Sequence, residues 1–286
     1  MANLKEIRNR ITSIGSTMQI TSAMKMVSAA KLKKAQDAIT QMRPYANKLT
    51  ELLQSLSATL DSDSGGAFSK QREVSNVLLV VITSNRGLCG GFNSSIVKEA
   101  DHIIKNQYQD KQVDILTIGK KGYDLLKKEH TIIENKSDIF DELTFENVAV
   151  IAENIMKLFT EGSYDKIQLV YNQFKNAATQ IPTIEQYLPI ESSKKEVSSN
   201  HDYIFEPSKS EIVLELIPKS LKTQLFKAIR DSFAAEHGAR MTAMHKATDN
   251  ATDLRDDLLL TYNKARQAAI TNEILEIVGG AEALNN

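Results

Sequence analysis

Residues 77–100, VLLVVITSNRGLCGGFNSSIVKEA, hold the residue types best suited to chemistry: a β-branched run, a loop with three glycines and the single cysteine, then a helical pattern. A strand, a glycine-bearing loop and a helix in that order can cradle a phosphate, because backbone N–H groups at a helix start favour an anion. The details count against it. A GxxxxGK[ST] loop needs a lysine for the β and γ phosphates and a hydroxyl for magnesium, but Gly87, Gly90 and Gly91 lead into Phe92 and Asn93. A dinucleotide fingerprint needs GxGxxG, whereas RGLCGG is spaced GxxGG with no acid following at a suitable distance. Cys89 as a nucleophile would need a cationic neighbour, and Arg86 is the only one close in sequence. A lone cysteine at a strand end more commonly serves as a small buried residue. His102, His130, His201, His237 and His245 lack HxxxH or HExxH spacing, so no metal site is expected. Asp256 and Asp257 fall on an expected exposed helix face, where solvated charge is the default.

The elements that must position these residues follow from composition and period. In 286 residues there are only 12 Gly and 5 Pro and no Trp, a sparse supply of turn residues that favours long helices. The formal charge of −1 gives no overall pull toward nucleic acid or membrane. One cysteine excludes an internal disulfide framework and fits a reducing compartment. The start, MANLKEIRNRITSIG, lacks the apolar core of a signal peptide, and no apolar run approaches the ~20 residues of a membrane span.

From Leu4 a seven-residue beat selects Leu4, Ile7, Ile11, Ile14, Met18, Thr21, Lys25, Ser28, Leu32, Ala35, Ile39, Met42, Ala46, Leu49, Leu53, Leu56 and Leu60. A sustained 3.5-residue period selects a left-handed coiled coil, here roughly 85 Å long at 1.5 Å per residue. Pro44 predicts a bend or irregular turn near residues 41–43. Thr21, Lys25 and Ser28 are consecutive polar seam positions, so the partner helix is locally polar or the helix faces something else there.

Strand and helix patterns then alternate from Asn76, predicting a βαβ layer with a largely parallel sheet that ends near residue 195. From Ser208 helix returns, with Pro218 its only break. Its expected inward stripe of smaller residues is Met241, Met244, Ala251, Leu254, Leu258, Ala265, Ala269, Ile274, Ile277, Ala281 and Leu284. Small residues let two backbones approach closely, as the partner of a Leu/Ile seam requires. Charge agrees: residues 1–60 carry nine Lys/Arg against three Asp/Glu, and residues 238–286 carry seven acids against five bases. The terminal helices are therefore expected to pair, antiparallel, with both chain ends near one tip. The residues alone leave three readings: a nucleotide-binding α/β enzyme, a static coiled-coil scaffold, or a shaft that transmits position or force.

The segments KEIRNRITSIGSTMQITSAMKMVSAAKLKKAQ, SNRGLCGGFN and ARMTAMHKATDNATDLRDDLLLTYNKARQAAITNEILEIVGGAEAL resemble the gamma subunits of F-type ATP synthases, and the resemblance spans essentially the whole chain. It implies an α/β protein: a long antiparallel coiled coil of the N- and C-terminal helices (1–60 and 208–286) with an inserted Rossmann-like α/β domain (72–195). It also implies a non-catalytic rotor without cofactor, metal or nucleic acid. The partners would be three alpha and three beta subunits, an epsilon subunit and a membrane c ring. Carried over by motif, Met24, Lys25, Arg240, Arg266, Gln267, Thr271 and Glu273 would contact beta subunits. Ile274, Ile277 and Leu284 would form a tip in an apolar bearing, and Tyr203 and Glu206 would meet the ring and epsilon at the foot. The start at the shaft helix and the absence of an inserted cysteine pair suggest a bacterial enzyme, at the cytoplasmic face of the inner membrane.

Overall fold

The computed structural model describes residues 4–57, 68–190 and 209–284. The elements are α1 (Leu4–Ser57), β1 (Asn76–Ile82), α2 (Phe92–Gln107), β2 (Gln112–Ile118), α3 (Lys120–Leu126), β3 (Ile132–Asn135), α4 (Phe145–Thr160), β4 (Lys166–Phe174), β5 (Gln180–Leu188) and α5 (Lys209–Leu284). The chain divides into two compact units, Met1–Ser28 with Met241–Asn286, and Ala29–Arg240.

In the larger unit the strands form one sheet of order β3-β2-β1-β4-β5. The pairs β1–β2, β2–β3 and β1–β4 are parallel, and β5 returns antiparallel on β4. From Val77 to Ile82 β1 is apolar and buried, as suits a strand covered on both faces. Leu78, Val80 and Ile82 pack toward α4 and residues 217–229 of α5, while Val77, Leu79 and Val81 pack toward α2. Thr144 caps α4, its hydroxyl accepting from the Asn147 N–H at 3.3 Å.

α1 stays helical across residues 41–44, so the irregular turn expected before Pro44 does not form, and α5 runs helical through Pro218 in place of the expected break. Each missing donor is outweighed by anchors around it. Beside Pro44, Arg43 donates to Asp231 Oδ1 at 2.8 Å and to the Phe174 carbonyl at 3.1 Å. Around Pro218, Ile217, Leu221 and Leu225 are seated in the core, and the Tyr187 hydroxyl donates to the Leu221 carbonyl. Asp231 is fully buried; burial pushes its carboxyl up and Arg43 pulls it back.

In the smaller unit α1 and α5 pair antiparallel. Thr252 donates to Met18 Sδ at 3.3 Å, Thr248 to Thr21 Oγ1 at 2.8 Å, and Lys25 Nζ lies 3.2 Å from His245 Nδ1, so steps forward along α1 match steps back along α5. Thr21 and Lys25 of the α1 seam thus meet polar residues of α5, as a locally polar partner helix requires, while Ser28 donates to the Met24 carbonyl of its own helix at 2.7 Å. All α1 seam positions from Leu4 to Leu49 are buried or half-buried; Leu60 and the side chains of Leu53 and Leu56 lie outside those described.

On α5 the seam is Met244, Thr248, Ala251, Arg255, Leu258, Tyr262 and Ala265, in alternating steps of four and three. Reading apolar residues alone skips Thr248, Arg255 and Tyr262 and wrongly turns Leu254 inward, where it is exposed. Carried on at this register, Leu4 stands opposite about Arg266, and every described side chain from Arg266 to Ala281 is exposed. The stripe at Ala269, Ile274, Ile277 and Ala281 therefore has no cover from α1. The two chain ends do not share a tip: α5 outruns α1 by about 18 residues, ~27 Å at 1.5 Å per residue.

Candidate functional site

A βα layer of this order places its crevice at the C-terminal ends of β1 and β4, where the strand order reverses and nucleotides bind in doubly wound folds. Here the crevice is filled by the chain itself. Asn93 Oδ1 accepts from the Ser84 N–H at 3.0 Å, and Asn93 Nδ2 donates to Ser84 Oγ at 2.8 Å and toward Cys89 Sγ at 3.3 Å. Asn172 of β4 donates to the Phe92 carbonyl at 2.9 Å. Ser84, Cys89, Phe92 and Asn172 are all buried. Burial pushes the Cys89 thiol up, more than the Ser84 hydrogen bond and the Arg240 charge pull it down, so it is a protonated packing residue.

The loop is clamped from α5. Arg240 donates to the Gly87 and Arg86 carbonyls and pairs with Glu236 one turn back. Both partners of that ion pair are buried, and burial pushes the Glu236 carboxyl up against the pull of Arg240, Lys31 and Arg86. Leu88 is held at φ 65 with its side chain 65% exposed, an apolar knob on a strained backbone. The sequence weighed Arg86 as the cation beside Cys89; the closer influence comes from Arg240, about 150 residues on, which no local pattern reveals.

Next to the clamp, His237 is buried against the edge of Phe233 at 4.5 Å between ring centroids, and neither ring nitrogen has a hydrogen-bond partner. Burial, with the Lys31 and Arg240 charges adding, pushes its titration down to about 4. The folded-state value is depressed below the ordinary ~6.5, so acid protonates the unfolded chain first and stability falls as pH drops from about 6.5 to about 4. His237→Phe keeps an aromatic ring without that titration. Denaturant unfolding should show the variant gaining about 2–3 kcal/mol on the wild type between pH 7 and pH 4.5.

In the smaller unit, Met24 is half-buried and Lys25 holds His245. Ile20, Met24 and Val27 share one α1 face at i, i+4 and i+7, and Ile20 and Val27 are exposed. Farther along α5, Arg266, Gln267, Thr271 and Glu273 are exposed, with Thr271 Oγ1 donating to the Gln267 carbonyl at 3.0 Å. Ile274, Leu275, Ile277 and Val278 are 55, 63, 66 and 52% exposed. At 100° per residue, Ile270 and these four fan over nearly half the helix circumference, with Glu273 and Glu276 on the other side.

A family model described as ATP synthase matches residues 3–284. A protein of Flavobacterium johnsoniae named ATP synthase gamma chain is 73% identical over 289 residues, covering 100% of both chains. One of Christiangramia forsetii with the same name is 68% identical over 285 residues, again covering 100% of both. The chain belongs to the ATP synthase gamma-chain family. Among solved structures, a chain of the Euglena gracilis mitochondrial ATP synthase (OSCP/F1/c-ring, rotational state 3) superposes with TM-score 0.72 at 23% identity, over 98% of this chain and 94% of that one. A chain of the Tetrahymena thermophila mitochondrial ATP synthase central stalk and c-ring gives TM-score 0.57 at 27% identity, over 80% and 99%.

As a gamma chain it is a non-catalytic subunit, in keeping with a crevice packed by its own side chains. The residues singled out in sequence do not form one site. Met24 and Lys25 lie in the paired part of the smaller unit, Arg266 to Ile277 on the overhang of α5, and Arg240 in the loop clamp of the larger unit. Leu284 ends α5, and Tyr203 and Glu206 lie outside the described residues. Exposed Ile20, Val27 and Ile270 were not singled out in sequence, whereas Leu275 and Val278 fall inside the 274–284 segment that the resemblance gives as the tip. The signal for Ile270 was a run of apolar residues too broad for one seam.

Proposed function

We propose that the chain is the central-stalk rotor of an F-type ATP synthase, coupling ion-driven rotation of a membrane ring to ATP synthesis and hydrolysis in surrounding beta subunits. Three alpha and three beta subunits, an epsilon subunit and a c ring are its partners. The observation that carries this reading is the overhang of α5: an apolar arc without cover among the described residues, at the end of a two-helix shaft. An exposed arc of that extent marks a surface another protein covers.

The shaft is unlike from side to side, so each surrounding catalytic subunit meets a different face at a given angle. Contacts that differ between states are what any conformational shift requires. In this reading Met24, Lys25, Arg266, Gln267, Thr271 and Glu273 touch beta subunits, and Ile274, Ile277 and Leu284 sit in an apolar bearing. Arg240 acts through the loop it clamps, presenting Leu88 to a neighbour. Tyr203 and Glu206 serve the foot. In this reading residues 1–60 and 208–286 are the shaft segments and residues 72–195 the α/β domain. The chain is a component of the membrane-bound complex, and no described helix is long and apolar enough to cross a membrane. We place it at the cytoplasmic face of a bacterial inner membrane, held there by its partners.

A disulfide between a cysteine at Met24 and one in a beta subunit, in the assembled complex, tests the rotor. Coupled turnover should stop with the bond closed and return on reduction. Full turnover with the bond intact would leave a static scaffold as the better reading. Saturable nucleotide binding by the isolated chain would favour an enzyme.

A further inference from the structure

We propose that His245 is a pH-operated clasp between the two shaft helices, one that passes its hydrogen bond from α1 to α5 when its ring gains a proton. The geometry centres on one nitrogen. His245 Nδ1 lies 3.2 Å from Lys25 Nζ on α1 and 3.5 Å from Asp249 Oδ2 one turn on along α5. An ammonium has three donors and no acceptor, so the Lys25 contact exists only while Nδ1 carries a lone pair, in the neutral tautomer with the proton on Nε2. A proton taken from solvent at Nδ1 turns that acceptor into a donor and places two cations face to face. The Asp249 carboxylate is already in reach to accept the new N–H. Protonation thus exchanges an interhelical contact for one within α5, the carboxylate closing a few tenths of an ångström to reach hydrogen-bond distance.

Lys25 from α1 and Asp249 from α5 are the charged groups that the structure pairs with this ring among the described residues. The His245 and Asp249 side chains are more than half exposed, so a proton exchanges freely with solvent and salt moderates the effect. Histidine is the side chain whose ordinary titration falls in the physiological range. The neighbouring seam contacts, Thr21 with Thr248 and Met18 with Thr252, are also polar. The clasp lies beside Met24, and its effect on turnover rests on the rotor reading above; its effect on the shaft does not.

Two measurements separate these. Amide hydrogen exchange of the full-length chain, corrected for intrinsic rates, is followed over residues 18–28 and 241–252 at pH 8 and pH 6 for wild type, His245→Gln and His245→Arg. Gln keeps an acceptor for Lys25 at every pH, and Arg is a permanent cation. Wild type should match Gln at pH 8 and exchange faster at pH 6, moving toward Arg by up to about threefold, while Gln stays level. Equal pH dependence in wild type and Gln would overturn the clasp. ATP-driven turnover of the assembled complex is then compared at the same two pH values. If exchange behaves as described but the ratio of wild-type to Gln turnover does not change with pH, the clasp stands and its part in coupling falls.

Discussion

Arg240→Met should lower the unfolding free energy of the chain by about 3–5 kcal/mol at pH 8, the cost of leaving a buried carboxylate without its partner. In the wild type the guanidinium meets Glu236 and the Gly87 and Arg86 carbonyls, and both side chains of the ion pair are buried. Methionine fills much of the same volume but donates to none of them. Lys31 and Arg86 still act on Glu236 and hold the loss toward the lower end. The dependence on pH gives the prediction its sign. Burial already pushes the Glu236 carboxyl up, and without Arg240 the push is unopposed by its main counter-charge. A folded-state value raised above the unfolded one means stability present in acid and lost as pH rises through it. The deficit of the variant should therefore shrink between pH 8 and pH 5. Arg240→Met with Glu236→Gln should recover much of it at pH 8. Denaturant unfolding of the four combinations measures each term, and a single-variant loss below about 1 kcal/mol would show that the pair behaves like a surface ion pair.

Gly119→Ala should cost about 3–5 kcal/mol, from a strained backbone and an overlap added together. Gly119 sits at φ 122, outside the range of ordinary side chains, and a Cβ there would fall on the Thr83 carbonyl with Thr83 Oγ1 2.7 Å away. Thr83 cannot yield easily. Its N–H donates to the Ile118 carbonyl at 2.8 Å, its hydroxyl accepts from the Gly122 N–H at 2.8 Å and donates to the Gly119 carbonyl at 3.3 Å. These bonds tie the end of β1 to the start of α3. Gly15→Ala is the control. A Cβ at Gly15 meets nothing within 4 Å, and alanine in mid-helix should raise stability by about 0.5–1 kcal/mol. Thermal or denaturant unfolding of the two variants should shift in opposite directions; equal shifts would mean that neither the positive φ nor the Thr83 contact penalises a side chain at Gly119.

What could be read beforehand depended on how local the physics was. The β-branched run from Val77 announced a strand, and the alternation of strand and helix patterns from Asn76 announced a largely parallel sheet. The α1 seam was legible because apolar residues recur at 3.5 over many turns. Its mate on α5 was harder, since Thr248, Arg255 and Tyr262 occupy seam positions and only the neighbouring helix shows that they face inward. Pro44 and Pro218 misled because a proline's local cost is visible in sequence, while the Arg43 and core anchors that offset it are not. Arg240 stood out in sequence as a coupling position by motif alone. Its bonds to Arg86 and Gly87 join residues about 150 apart, a closure no spacing rule reports.

The overhang of α5 also bears on how the chain acquires its end. A free helix of about 18 residues is marginal in water, because starting the first turn is costly and each later residue gains little. Beyond Arg266 the helix skips that start, since its turns are added onto a 76-residue helix already begun elsewhere. Order there is inherited from one side only. It should weaken step by step toward Gly279 and Gly280, two residues poor at prolonging a helix. A socket that closes around this end would then act as a second seed, growing the final turns backward to meet those growing forward.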